Sequence, residues 1–532
     1  MQTDRSRLAY QNPPPPYLPL PLSMEVSRKR RYSMLYKAQD EHSPPRGYHQ
    51  VAVVIILCMS HLLTQAGLGQ AIAPLYIIAG DLNPRSPGEL RWYAAAYSLT
   101  AGTFILIAGR LGDMYGNRLM VIVGYVWFAV WSLVAGFGVY GGHILFIVSR
   151  ALQGIGPAIL LPNSLAILGK VYPPGWKKNV VFCVFGALAP NGFVLGALFS
   201  SIFAELAWWP WAYWVMAIVC VVLSILTYLV VPAPASLSTA DRGVLDIFGS
   251  ITGVAGLVVF NIAWNQGPSV GWQNAYTYIL LIIGVVLFTL FFLIESRVKH
   301  PVVPVKAFNL DTILLLGCIG CGWSSFGIWL FYSWELSLEL RHYRPLSVAA
   351  QFVPVGISGI LAAASVPFLM RRFGPQYIML LAMTAFTVGS VLIATAPVNQ
   401  VYWAQTFVSI IVMPWGMDLS FPSANLILSN STPREHQGVA ASLVNTVINY
   451  SIAIGLGVAG TVESQVNRDG RDVLRGFRGA YYAGIGLAAT SLIVSLVFVV
   501  TRFRRVEVSQ LKTADSSHNS STTEVGSGTE IG

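Results

Sequence analysis

The chain has 532 residues, of which 55% are hydrophobic and only 11% are charged, and its mean hydropathy is +0.61. Soluble domains carry about 25% charged residues, so this composition excludes a soluble enzyme or binding module and requires most of the surface to meet lipid. The net charge of +10 does not point to nucleic acid, because the basic residues gather in the two tails and in alternate loops, as membrane orientation signals do.

Residues 1–50 contain the run Pro13–Pro16 and the basic cluster Arg28–Arg31. They read as a disordered cytoplasmic tail, with the cluster held near anionic headgroups. No cleavable signal peptide is visible ahead of the first apolar run. Fourteen apolar segments follow, each able to cross about 30 Å of hydrocarbon. They lie near 51–79, 91–108, 119–139, 144–168, 179–203, 211–231, 246–264, 276–295, 312–334, 347–369, 376–396, 402–428, 437–461 and 480–501. The Ser/Thr-rich stretch 503–532 reads as a second disordered tail. The five cysteines, Cys58, Cys183, Cys220, Cys318 and Cys321, all fall inside apolar runs, so no disulfide framework is expected. The C-x-x-C pair Cys318 and Cys321 has no second pair or histidines beside it and reads as helix packing.

Charge sets the orientation. With the N-terminus inside, inner loops carry Arg110, Arg118, Lys170, Lys177, Lys178, Arg242, Arg297, Lys299, Lys306, Arg371, Arg372 and Arg434. Arg85, Arg91, Arg341, Arg344, Arg468, Arg471, Arg475 and Arg478 fall outside. Adding the two basic tails favours the inside, and an even span count puts both termini in the cytoplasm. The sequon Asn430-Ser431-Thr432 then lies on the inner face, away from glycosylation.

Between spans two and three runs GRLGDMYGNRLM, Gly109–Met120. Its glycines permit close backbone approach, and Asp113 with Arg110 and Arg118 makes a charged cluster at the membrane edge, where charge costs least. A tight turn with positive-inside arginines would look the same. Gly109, Leu111, Gly112, Asp113, Gly116 and Arg118 match a signature by which the chain resembles the major facilitator superfamily; Met114 and Asn117 replace basic residues of that signature. The resemblance implies an all-α membrane protein of the major facilitator fold, and makes Gly109, Asp113, Gly116 and Arg118 a conformational switch. Leu369–Gly374 repeats the Leu-x4-Gly spacing of Leu111–Gly116 between spans ten and eleven. That echo predicts a six-helix bundle over 51–231, two inserted helices within 232–300, and a second six-helix bundle over 301–502. Fourteen spans distinguish drug:proton antiporters from twelve-span sugar-type porters.

Arg150 opens RALQGIG in span four. An arginine inside an apolar helix costs at least about 3 kcal/mol on insertion scales and needs a partner or a wet cavity, unless it snorkels. The run resembles the superfamily's Arg-x-x-Gln-Gly-x-Gly motif, which implies a part for Arg150 in proton transfer. In span five, Pro190 kinks the helix and Gly186, Gly192 and Gly196 allow tight contact. These residues, with Asn191, are similar to the exporters' antiporter motif, although Ala189 stands where that motif has glycine. A kink serving packing alone stays open.

Asp418 lies in WGMDLSFP of span twelve. So much apolar sequence favours the protonated form, which suits a proton carrier; interhelical hydrogen bonding is the alternative. Asn445 and Asn449, four apart, share a helix face, and Gln65 and Gln70 fall on roughly one side of span one. These four, with Asn191, are candidates to line a substrate cavity. Span nine is rich in aromatics. Trp334 near its end fits an interfacial belt, whereas Trp323, Trp329 and Tyr332 are positioned to stack on a planar or apolar substrate, or to pack a core.

MDLSFPSA from Met417, QGVAASLVNT from Gln437 and LTQAGLGQ from Leu63 resemble fungal aminotriazole- and boron-resistance permeases. Bacterial fourteen-span relatives usually carry an aspartate in span one; this chain has none there, which raises the standing of Asp418. There is no G-x4-G-K-[ST] loop, so direct ATP drive is excluded. The expectation is a monomeric, proton-coupled antiporter without metal or cofactor, exporting a small molecule by alternating access across the plasma membrane, with the vacuolar membrane as alternative. Uptake of a nutrient or siderophore, or a non-transporting sensor, are the competing readings. An embedded enzyme would need clustered His or acid groups at one depth, and the spans offer only His61 and scattered carboxylates.

Overall fold

The computed structural model describes residues 47–84, 87–172, 176–232, 246–298, 309–431, 437–467 and 470–524. Most of the two tails, the link after Pro232, and Arg85, Arg242, Lys299, Lys306, Thr432, Arg434 and Arg468 lie outside them. The described residues are helical, without a strand. Fourteen helices among them are long and apolar enough to cross a membrane, as expected where lipid cannot satisfy backbone polar groups. In chain order they are α1 (Tyr48–Ile72), α2 (Trp92–Tyr115), α3 (Asn117–Gly136), α4 (Gly138–Val171), α5 (Trp176–Leu206), α6 (Pro210–Val230), α7 (Ile247–Val270), α8 (Ala275–Glu295), α9 (Leu310–Glu335), α10 (Pro345–Phe373), α11 (Pro375–Thr395), α12 (Gln405–Ser431), α13 (Gln437–Val466) and α14 (Val473–Glu524). One compact unit takes in Val53–Gly532; of the unit before it, the described residues are 47–52, with α1 beginning at Tyr48.

Local chemistry sets the ends. Proline opens α6, α10 and α11 at their first positions, where its missing N–H has no partner to lose. Asp246, Asn274 and Asn309 cap α7, α8 and α9, accepting from Gly249 N at 3.0 Å, Tyr276 N at 3.1 Å and Thr312 N at 2.9 Å. Gly116 and Gly374 turn the chain at φ 98° and 76°. The echoed Leu-x4-Gly sequences thus make equivalent left-handed turns, α2 to α3 and α10 to α11, which L side chains resist.

Three boundaries differ from expectation. The run 51–79 breaks after Ile72 into α1 and a short helix Leu75–Leu82, because Pro74 can donate no hydrogen bond and disfavours helix in the residue before it. α4 carries a bend at Gly142, φ 77°, so its straight part begins where apolar sequence predicted. Helix continues to Glu524, past the expected tail boundary at 502; extending an existing helix is far easier than nucleating one.

Packing joins α2, α3, α4 and α6 in the first half, and α9, α11, α12, α13 and α14 in the second. The halves meet along two seams, α2 against α13 and α5 against α10. The inserted α7 lies on α13 and α2, and α8 on α7. Only 11% of the apolar stretch of α8 is buried, against 72% for α13, so α8 is the lipid-facing outrigger and α13 the central post.

Candidate functional site: the seams between the halves

At the 109–120 turn, here called the proximal end, Asn117 is the hub. Its Nδ2 donates to Asn163 Oδ1 at 2.9 Å, and Lys170 Nζ donates to its Oδ1 at 2.6 Å. Asn163 also donates to the Ala108 carbonyl at 3.1 Å. A side chain at Gly112 would run into Asn163, so only glycine fits. The residue that departs from the signature's basic position is therefore the buried organiser of this turn. Arg118 donates to the Tyr228 carbonyl and lies over that ring at 5.3 Å, fastening α3 to α6. Asp113 is exposed, with Lys170 and Arg110 the charges acting on it. Gly109 faces Ser442 of α13 across the seam, where a Cβ would come within 2.9 Å of the hydroxyl.

Arg150 does not snorkel; it is fully buried. Nε donates to the Tyr93 carbonyl at 2.9 Å, Nη2 to the Gly67 carbonyl at 2.7 Å, and Nη1 to Gln153 Oε1. The guanidinium lies 4.4 Å from the Tyr97 ring centre, and Gln153 continues to Ser132 at 2.7 Å. These partners come from α1 through α4 and are neutral acceptors. Arg150 thus binds the first half together through carbonyls and an aromatic face.

The span-five motif splits into two jobs. Gly192 and Gly196 lie directly against the Leu62 and Ala66 carbonyls of α1, where any side chain would collide. Pro190 and Asn191 instead face the second half. Asn191 donates to its own helix at Ala187 O, 2.8 Å, and across the seam to Gly356 O of α10, 3.3 Å. A Cβ on Gly359 of α10 would stand 2.5 Å from Pro190 Cγ and 2.9 Å from Asp418 Oδ2. One glycine of α10 therefore makes the notch where α5 and α12 meet. Gly186 borders open space.

Asp418 is 7% exposed, and its Oδ2 is buried with no hydrogen-bond partner. Pro422 has no N–H for the Asp418 carbonyl four residues before it, so α12 is weakened at that point. A buried carboxylate oxygen without a donor is costly when ionised, and the seam supplies proline and glycine rather than a cation.

On α13, Asn449 donates to Asn445 O at 2.9 Å and packs on Gly102 of α2, which leaves 3.0 Å for a Cβ. In α1, Gln70 is buried and Gln65 half-buried. Trp323 and Trp329 donate to Ser420 at 3.1 Å and Ser409 at 2.8 Å, with ring contacts to Phe386 and Phe352; those contacts lie inside the second half. The belt position expected for Trp334 is overturned: it is fully buried, its ring against Phe352 and against Phe193 of α5. Cys318 donates to the Ser491 carbonyl at 3.5 Å, a helix-packing contact.

At the opposite, distal end lies a polar network that the sequence reading missed. Arg91, the residue before α2, pairs with Glu463 of α13 at 3.2 Å, and Tyr332 donates to the same oxygen at 2.6 Å. Tyr76 of the short helix Leu75–Leu82 lies 2.5 Å from Glu335 Oε2 and 2.9 Å from Glu339 Oε2. Glu205, at the end of α5, accepts from Leu346 N of α10 at 2.6 Å. The available signal was the i, i+4 spacing of Glu335 and Glu339 at the end of an apolar span, and its partners come from distant segments. The distal ends of the halves are tied by these three contacts.

Comparison with known proteins agrees with this architecture. The Major Facilitator Superfamily model matches residues 55–458 and 368–524. A low affinity ammonium transporter of Saccharomyces cerevisiae is 54% identical, over 88% of this chain and 92% of its own. Efflux pump terJ of Aspergillus terreus is 45% identical over 86% and 89%, and the aminotriazole resistance protein of S. cerevisiae 39% over 85% of each. The crystal structure of a point mutant of the nucleoside transporter NupG superposes with TM-score 0.53 at 12% identity, covering 84% of this chain and 99% of that one, a likeness of fold alone. These are transporters rather than enzymes. Fourteen spanning helices, two packed halves and the matched family model make the chain a multi-pass membrane transporter belonging to the Major Facilitator Superfamily.

Proposed function

We propose that the chain is a proton-coupled antiporter that exports a small toxic compound, drug or secondary metabolite, its two halves rocking about the seams. The observation that carries this is the buried Asp418 carboxylate, with an unpartnered oxygen at the three-helix junction of α5, α10 and α12. Neutral, it fits the dry notch beside Gly359 and Pro190. Ionised, it needs water, so loss of its proton favours parting of α5 from α10 and α12. A proton taken up while the distal side is open then closes the junction, and proximal opening wets the carboxylate and releases it. Arg150 holds the geometry of the first half through this motion. Gly109, Asp113, Gly116 and Arg118 govern the proximal turn, and Gln65, Asn191, Asn445 and Asn449 offer amides along the inner helices for substrate. Export is supported by the efflux and resistance names among relatives. The basic loops support an outward-facing distal end and two cytoplasmic termini; the plasma membrane is the proposed site, with the vacuolar membrane as alternative.

A second reading rests on one observation, the 54% identity to a low affinity ammonium transporter. There the same carboxylate would neutralise a small cation moving inward. The deciding experiment reconstitutes the full chain in proteoliposomes with an imposed pH gradient and follows a panel of toxic compounds and ammonium. Wild type drives a compound uphill against proton flow, and Asp418→Asn keeps exchange but not uphill movement. Undiminished uphill transport by Asp418→Asn removes Asp418 from coupling, and ammonium uptake with no drug flux selects the second reading.

A further inference from the structure

The distal contact of Tyr76 with Glu335 and Glu339 has a hydrogen count that does not close with both acids ionised. A phenol carries one O–H, and an ionised carboxylate only accepts. The Tyr76 oxygen nevertheless lies 2.5 Å from Glu335 Oε2 and 2.9 Å from Glu339 Oε2. Tyr76 can give a full two-centre hydrogen bond to one of them, and the other contact is a second such bond when that carboxyl keeps its own proton and donates to the phenol oxygen. Burial and the neighbouring carboxylates hold the Tyr76 phenol far above its ordinary range, so it remains a donor and cannot absorb the mismatch by ionising.

Arg91 acts on Glu335 through space, but the nearby cations make their direct contacts elsewhere. Arg91 pairs with Glu463, whose same oxygen also accepts from Tyr332. Arg341 donates to Thr406 at 3.2 Å and to the Pro397 carbonyl at 3.3 Å. The further titratable group facing Glu335 is Tyr481 of α14. Neither Glu335 nor Glu339 has an ion-pair partner among the described residues. Glu335 is 7% exposed, and the two glutamates sit four apart on one helix face, where like charges repel. Tyr76 belongs to the first half and both glutamates to the second, so the shared proton sits on the line of opening.

We propose that Tyr76, Glu335 and Glu339 form a proton-locked latch that holds the distal ends of the two halves together. Parting the halves withdraws the phenol, admits water and frees the proton to the same side from which it came. The latch therefore reads distal pH and carries no proton across, which sets it apart from Asp418 and from the coupling reading. The closed latch binds one proton more than the open one, so closure is complete at low pH and is lost as pH rises through the closed latch's own titration.

The test uses the full chain in lipid nanodiscs, with spin labels at Gly80→Cys and Arg344→Cys in a background lacking the five native cysteines. Distances are read by double electron–electron resonance across a pH series. The short-distance population is expected to fall with rising pH in wild type. In Glu339→Gln the amide donates where the extra proton did, and the pH dependence disappears or shifts by at least about one pH unit. Asp418→Asn, in which the junction no longer titrates, is expected to keep a pH-dependent distance, and Glu339→Gln in that same background is expected to lose it. Infrared spectra of the unlabelled chain are expected to show, in the closed state, a protonated-carboxyl C=O band in addition to the one that Asp418→Asn removes. Glu335→Gln removes this additional band and Tyr76→Phe shifts it. A wild type whose distances ignore pH, or the same pH response in Glu339→Gln, overturns the latch. So does closed protein without the additional band, which would mean one hydroxyl shared between two ionised carboxylates or a bound metal cation between them.

Discussion

The two seams between the halves are built from different materials. Along α2 and α13 the contact is backbone against small polar side chains: Gly102 on Asn449 and Tyr450, Gly109 on Ser442. Asn449 bonds within its own helix, and α7 braces the seam through Trp264 to the Ile454 carbonyl at 3.0 Å and Tyr450 to the Leu257 carbonyl at 3.1 Å. Along α5, α10 and α12 the contact is a proline, an amide reaching 3.3 Å and a carboxylate oxygen with no donor. One seam is held by close packing and by the α7 brace. The other holds a group whose preferred surroundings change with one proton. A rocking protein needs both, a fulcrum that stays packed and a junction that responds.

That contrast can be broken experimentally. The largest effect is expected at Asp418→Asn, where gradient-driven accumulation falls to that of protein-free vesicles while thermal unfolding moves little. A large loss of stability instead would make the carboxylate a structural member, and the contrast would fail. Next comes the pair Gly359→Val and Gly102→Val. Each forces a side chain into contacts under or at 3.0 Å, for an overpacking cost of about 1–3 kcal/mol, measured by thermal unfolding in detergent. The Gly359 variant should also lose coupled flux at temperatures where it stays folded, and the Gly102 variant should lose flux only as it unfolds. Equal behaviour of the two would erase the distinction between junction and fulcrum. Arg150→Lys gives up part of a fork shared by two carbonyls and an amide, and should lower stability by about 1–3 kcal/mol, a change seen in melting temperature before it is seen in flux. Smallest is Trp264→Phe, which deletes one hydrogen bond of the brace and costs about 0.5–1.5 kcal/mol. A bigger loss there would place the fulcrum on α7 rather than on the glycines.

The span count and the paired glycine turns were legible because length, apolarity and left-handed glycine are local properties. The position of Asp418 in a span was legible for the same reason. Its companion Gly359 was not: a glycine in an apolar helix carries no sign of what approaches it, and here two other helices do. The aromatics of span nine could not be divided by sequence into packing and seam, since Trp329 and Trp334 differ only in which neighbours the fold brings to them. Tyr76, Arg91, Glu335, Glu339 and Glu463 escaped notice because each looks like an ordinary interfacial residue until four chain segments converge. Asn117 was read as a departure from a signature, and only the fold shows Asn163 and Lys170 closing on it.

The brace of α7 has an optical consequence. Trp264 and Trp272 bond to the second half, at Ile454 and Thr461, whereas Trp92 of the first half reaches across to Gln266 of α7 at 3.2 Å. If the halves rock about this seam, the indoles of α7 keep their hydrogen bonds to the second half, and a strain on the fulcrum is felt first at Trp92, whose bond to Gln266 joins the first half to α7. Indole emission shifts when such a bond changes. The contact of α2 with the inserted α7 thus gives the protein an intrinsic fluorophore beside its fulcrum, and with the remaining tryptophans replaced by phenylalanine a change there becomes visible in light emitted by Trp92 alone.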